Sequence, residues 1–325
     1  MRKIVTIVVI LVSQLVIDGC LQNEALFLDP PIDQILGGKE FVVYKGILTF
    51  KDKSTFNKLT EELIGKDETF IYSWEKDLGF KSLYTTYEDV IVEEDKFLET
   101  MVKKYGENSE ATRNEFGYSK LTQEYLKKGT ILMTDDGLLD MNVTTPSLAP
   151  LVNADGFVRV GNEIRQYKSD FLKVILDADY QKISRLDGIK ESSNQFHIAR
   201  VEKVINKISD ASRTQALSSC ESIVGSHRLI AYEEKTYFNE GGVPCPVYRN
   251  DYYIMLRSLK KILGSWQNFR TSQFTITATY ALNHLNCDYS VKTLVSSRTN
   301  HFWQIGGEWH TFSAYYVRNY DTVLA

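Results

Sequence analysis

The stretch HFWQIGGEWHTF, residues 301–312, places two histidines, a carboxylate and two tryptophans within twelve residues. If Gly306-Gly307 forms a two-residue hairpin turn, Ile305 lies opposite Glu308, Trp303 opposite His310 and His301 opposite Phe312, and all six share one face. His301, Glu308 and His310 then make a two-histidine, one-carboxylate set of the kind that holds a divalent ion. The same register supports a plainer reading, in which His310 stacks on Trp303, because aromatic cross-strand pairs are an ordinary source of sheet stability. Trp303, Trp309, His310 and Tyr315 are the side chains expected to meet a ligand on this part of the chain. Cysteine chemistry is sparse. Cys245 stands between Pro244 and Pro246, and Cys287 lies in the turn-like NHLNCDY; one disulfide or none is expected, and the favoured pair is Cys245 with Cys287, both placed at strand ends, over either pairing with Cys220.

Cys20 has a different context. Arg2 and Lys3 precede an apolar run from Ile4 to Ile17 that is shorter than the ~20 residues a membrane-spanning helix needs, and Asp18 closes it. Val16-Ile17-Asp18-Gly19-Cys20 resembles a bacterial lipobox, with Asp18 departing from the usual small or hydroxyl residue. Under that resemblance residues 1–19 are a signal peptide and Cys20 becomes the acylated first residue. Two or three acyl chains meet the two-signal requirement for stable anchoring. The expected location is the bacterial cell envelope, at the outer membrane, with the lipid as the membrane partner.

Other classes are excluded or unmarked. A net charge of −4 lacks the excess of Lys and Arg that nucleic acid requires. No GxSxG elbow, HExxH pair, P-loop or dinucleotide fingerprint occurs, so no cofactor is expected. A Ser-His-Asp set or a carboxylate pair assembled from distant segments leaves no such trace, and a secreted envelope hydrolase with a convergent site is the alternative function. Asn153, Asp155 and Gly156 mimic part of an EF-hand loop, but Leu151 and Asn162 stand where its first and last ligands belong.

The elements that position these residues divide the chain unevenly. Residues 20–39 read as a lipidated linker, 40–148 as a mostly helical domain and 149–325 as a β-rich domain. EFVVYKGILTF reads as one β segment bent at Gly46. Helices follow: one capped by Ser54 with Phe56, Leu59 and Leu63 on a face, one carrying Phe70, Ile71, Trp74 and Leu78, and a long one capped by Ser82. In the long helix Leu83, Tyr87, Val90, Ile91, Phe97, Leu98 and Met101 form the apolar stripe, with Glu93, Glu94 and Asp95 on its solvent side. Leu121 and Tyr125 mark a further helix ending at Gly129. LVNADGFVRVGNEIRQY then predicts three short strands turning at Asp155-Gly156 and Gly161-Asn162. QFHIARVEKVINKI fits helix or strand. Beyond it, β-branched and aromatic density predicts long antiparallel strands. The fold class is α+β: an N-terminal helical region with a short β segment, a hairpin meander and an antiparallel, β-sandwich-like C-terminal domain.

LTFKDKSTFNKL, YSWEKDLGFKSLYTTYE and LVNADGFVRVGNEI, in that order, resemble uncharacterised envelope lipoproteins of Bacteroides-type bacteria. The resemblance spans roughly residues 40–175 and implies architecture and envelope location, with no catalytic residue to carry over. The expected role is non-catalytic, a β-rich aromatic surface presented to an extracellular glycan or protein.

Overall fold

The computed structural model describes residues 29–63, 66, 68–106, 113–135, 137–206, 221–224, 227–241, 247–263, 265–268, 273–285, 291–303, 312–313 and 319–321. Chain order starts with helix α1 (Ile32–Leu36) and strands β1 (Phe41–Tyr44) and β2 (Ile47–Phe50). Helices α2 (Lys53–Leu63), α3 (Glu68–Leu78), α4 (Leu83–Tyr105), α5 (Arg113–Phe116) and α6 (Lys120–Lys128) come next. The hairpin β3 (Ile131–Met133) and β4 (Leu139–Met141) and a 3₁₀ turn over Pro146–Leu151 lead to β5 (Phe157–Val160), β6 (Glu163–Tyr167) and β7 (Phe171–Ile175). A second 3₁₀ segment, Tyr180–Gly188, precedes β8 (Phe196–Arg200) and β9 (Glu202–Asn206). The remaining strands are β10 (Glu221–Val224), β11 (His227–Gly241), β12 (Val247–Ile262), β13 (Ser265–Asn268), β14 (Gln273–Leu285), β15 (Val291–Trp303), β16 (Phe312–Ser313) and β17 (Asn319–Asp321). The chain is α+β.

One sheet runs β1-β2-β5-β6-β7-β8, antiparallel except where β2 meets β5. Alternation along its strands separates two cores. Leu48, Phe50, Val158, Val160, Tyr167 and Leu172 point to the helices and meet Phe56 of α2 and Leu83, Tyr87, Val90 and Ile91 of α4. Ile47, Phe157, Ile164, Ile175 and Phe196 point the other way and are covered by the 3₁₀ segment through Leu186. The helical layer, the sheet and the 3₁₀ cover are therefore successive layers.

The boundary expected near residue 148 runs through this sheet. β2 and β5 lie on either side of it in sequence yet are paired neighbours, with Thr49 opposite Arg159 and Phe50 opposite Val160. The core also reaches past β8. Rings pack in succession from Phe41 to Phe50 (5.5 Å), Phe56 (5.3 Å), Tyr167 (6.4 Å) and Phe238 of β11 (6.4 Å). β11 belongs to a second, seven-stranded antiparallel sheet, β10-β11-β12-β13 with β9 on β11 and β16 and β17 on β12, while β14 and β15 form a long two-stranded ribbon.

Local chemistry explains the departures from the sequence reading. EFVVYKGILTF is a hairpin rather than one bent strand: Tyr44 pairs with Ile47, and Lys45 and Gly46 take φ values of +50° and +75°. The cap of α2 is Asp52, whose Oδ1 accepts from the Thr55 amide at 2.8 Å and its hydroxyl at 3.0 Å, so Ser54 lies inside the first turn. No strand leads directly into Asp155, because a 3₁₀ turn ends at Leu151. Asn153 Oδ1 instead accepts from the Asp155 and Phe157 amides at 3.1 and 2.9 Å, and the third strand of the meander is β7. The Gly161-Asn162 turn and the Ser82 and Gly129 caps form as expected. QFHIARVEKVINKI resolves into β8 and β9, which belong to different sheets.

Candidate functional site

Three groups of polar side chains are built into the described body. The first lies at the β1–β2 turn. Lys45 adopts a left-handed conformation that costs a non-glycine residue about 1 kcal/mol, and it is held there by contacts from far along the chain. Its ammonium pairs with Asp29 and sits 5.4 and 5.0 Å from the ring centres of Tyr44 and Tyr180. Asp29, with only 11% of its side chain exposed, also accepts from the Tyr44 hydroxyl at 3.2 Å and the Tyr180 amide at 3.4 Å. Tyr180 meets Tyr44 edge to face at 5.5 Å, and its hydroxyl lies 3.4 Å from that of buried Thr49. Arg159 stands 5.8 Å from the same ring and donates to the Gly161 carbonyl. The hydrogen bond to Asp29 raises the Lys45 pKa, and burial raises that of Tyr180. The Lys45 contribution is thus complete below its ordinary pKa of 10.5 and fades only as pH rises through the higher folded value.

The second group joins the helices. Ser82, the N-cap of α4, donates its hydroxyl to Glu75 of α3 and its amide to the same carboxylate at 3.3 Å, while its Oγ accepts from the Thr85 amide at 3.1 Å. Ser119, the N-cap of α6, repeats the device. Its amide donates to Glu94 of α4 at 2.9 Å, Thr122 Oγ1 donates to Glu94 at 2.5 Å, and Ser119 Oγ accepts from the Thr122 amide at 3.2 Å. α3 and α4 therefore each grip the cap of a later helix with a glutamate. Glu94, expected on the solvent side of α4, is 3% exposed because Ser119 and Thr122 require an acceptor there. Burial raises the pKa of Glu75 despite its hydrogen bonds. The signal for this device is the spacing Ser-x-x-Thr at 82–85 and 119–122. A recess of about 20 Å³ lies between α4, the β3–β4 turn and Gln267, with room for about one water. A third polar tie is Lys168, whose ammonium donates to the Gly129 carbonyl at the end of α6 at 3.1 Å and whose pKa is lowered by burial.

The long strands bring aromatic and polar positions into register. Phe238 and Thr236 of β11 are buried, and Phe238 meets the core. The register of β11 with β12 sets Tyr237 opposite Asn250, Asn239 opposite Tyr248 and Lys235 opposite Tyr252. β17 extends the same rows, with Asn319 beside Asn250 and Asp321 beside Tyr248. None of these positions was singled out in the sequence; the alternation Thr236, Tyr237, Phe238 on a long strand was the available signal.

The chemistry-bearing residues of 301–315 are only partly placed. His301 pairs with Thr275 and Trp303 with Gln273 in the β14–β15 ribbon, and Phe312 pairs with Leu256 of β12. Residues 304–311, on which the hairpin expectation rests, lie outside the described residues. Glu308, Trp309, His310 and Tyr315 lie outside the described residues, as do Cys20, Cys245 and Cys287. Among the described residues no cluster of three His, Cys, Asp or Glu side chains is arranged to hold a metal, and no helix is long and apolar enough to cross a membrane.

No protein family and no curated protein matches the chain. A crystal structure of a DUF4848 family protein from Bacteroides thetaiotaomicron is similar to it at 13% identity, over 83% of this chain and 90% of that one, with a TM-score of 0.32, a likeness too slight to carry an argument.

Proposed function

We propose that the chain is a lipid-anchored protein of the bacterial envelope, at the outer membrane, whose β-rich part binds an extracellular glycan or protein. The observation that carries this is the run from Arg2 to Cys20: a basic start, a short apolar stretch and a terminal Gly-Cys. The resemblance to Bacteroides-type lipoproteins belongs to the same reading. The binding half draws on the register that sets Tyr237, Tyr248 and Tyr252 opposite Asn250, Asn239 and Lys235, with Asp321 paired to Tyr248, since tyrosines among amides are residue types suited to recognition. Trp303, Trp309, His310 and Tyr315 are proposed to add to it, and the metal set His301, Glu308 and His310 and the Cys245–Cys287 bridge stay as proposals. Expression of the full chain with Cys20→Ser tests the anchor. Wild type should sediment with membranes and incorporate labelled palmitate; the variant should do neither. Equal palmitate in both would end the reading.

A further inference from the structure

We infer that Met133 is an oxidation site for hydroperoxides, and that the Tyr118 hydroxyl receives the sulfoxide formed there. Met133 ends β3 with 46% of its surface exposed, and among the described residues no large hydrophobic side chain is more open. Met141 supplies the contrast on the same small hairpin. Met133 pairs with Leu139 and Met141 with Ile131, yet Met141 is 7% exposed and belongs to the core beneath the helices. Met101 of α4 lies between the two, half-buried. A hydroperoxide must touch the sulfur to oxidise it. The sulfur lone pair attacks the distal peroxide oxygen, an S–O bond forms as the O–O bond breaks, and sulfur gives up the two electrons that reduce the peroxide. The proton on the attacked oxygen passes to the departing oxygen, which leaves as water or an alcohol.

A hydrogen-bond donor sets Met133 apart from a plain surface thioether. The Tyr118 hydroxyl donates to its Sδ at 3.6 Å. A thioether is a weak acceptor, whereas a sulfoxide is polar and concentrates negative charge on its oxygen. The donor is fixed in place: the Tyr118 ring packs against the helix-side core, its carbonyl accepts from Gln123 Nε2 at 2.7 Å, and the next residue is Ser119, the cap gripped by Glu94. The exposed Met133 side chain is free to shift and present its new oxygen to that hydroxyl. Oxidation thus replaces a weak tie between β3 and the start of α6 with a stronger one.

The test treats the full-length protein with limiting hydrogen peroxide, digests it, and reads methionine sulfoxide peptide by peptide by mass spectrometry. Met133 should oxidise about tenfold or more faster than Met141, with Met101 in between. Equal rates at Met133 and Met141 would overturn the site. The part played by Tyr118 is read by urea unfolding of wild type, Tyr118→Phe, Met133→Leu and the double variant, each before and after full oxidation. Phenylalanine keeps the ring and its packing, and the two Met133→Leu proteins subtract whatever oxidation does elsewhere in the chain. Oxidation of Met133 should lower the folding equilibrium constant of Tyr118→Phe about fivefold more than that of wild type, the worth of one hydrogen bond. The same change with and without the hydroxyl would overturn the assignment of Tyr118.

Discussion

Gly156→Ala should destabilise the protein by about 3–5 kcal/mol, read as a shift of the urea midpoint in the Cys20→Ser background. Two effects add. Gly156 has a φ of +85°, which an alanine adopts only with strain, and a Cβ built there would stand 2.6 Å from the Tyr167 carbonyl oxygen. The neighbour is backbone and has little freedom to yield. The Tyr167 amide already donates to the Gly156 carbonyl at 2.9 Å, and the Tyr167 ring lies fully buried between Phe56 and Phe238. Relief of the clash therefore displaces the strand that joins the sheet to both the helical layer and β11. Gly161→Ala separates the two effects. Its φ is +61°, but the nearest atom to an added Cβ is the Lys51 carbonyl oxygen at an ordinary 3.6 Å, so strain alone should cost about 1 kcal/mol. Equal losses in the two variants would show that the contact with Tyr167 is not what Gly156 accommodates.

Glu75→Ala should cost about 3–4 kcal/mol, because it leaves the hydroxyl and amide of fully buried Ser82 without their acceptor and opens a gap between α3 and α4. Glu75→Gln keeps an acceptor and should stay within about 1 kcal/mol of wild type at neutral pH. The two differ in pH dependence. The folded pKa of Glu75 is raised by burial, so between the ordinary value of 4.5 and the folded value the native state binds more protons than the unfolded one. Wild-type stability from this residue is full below 4.5 and declines as pH rises through the folded pKa. Glutamine carries no proton to lose, so the stability of Glu75→Gln relative to wild type should improve with rising pH. A relative loss over that range would mean that the hydrogen bonds from Ser82 outweigh burial and lower the pKa instead.

These two sites also show what was legible in the sequence. Asp155-Gly156 read correctly as a turn because glycine and asparagine carry their turn geometry in their own chemistry, and Asn153 supplies it here within four residues. The apolar stripe of α4 and its Ser82 cap were legible for the same reason. Lys45 was not. Lysine has no preference for a positive φ, and the partner that holds it, Asp29, lies sixteen residues earlier and outside any local pattern. Glu75 and Glu94 were hidden in the same way: a glutamate on a helix reads as solvated until the cap of another helix is brought against it. The pairing of β2 with β5 across the expected domain boundary is a contact more than one hundred residues apart, which periodicity does not encode. Of the candidate site, Cys20 lies outside the described residues, and the pairing of Tyr237, Tyr248 and Tyr252 across β11 and β12 depends on a register that only the paired strands define.

The central claim is that the mature protein begins at an acylated Cys20, and the mass of its N-terminal peptide tests this most directly. Protein purified from membranes and digested should yield a first peptide starting at Cys20 and heavier than its sequence by two or three acyl chains and a glycerol. A first peptide starting at any other residue, or one starting at Cys20 with no added mass, would contradict the account.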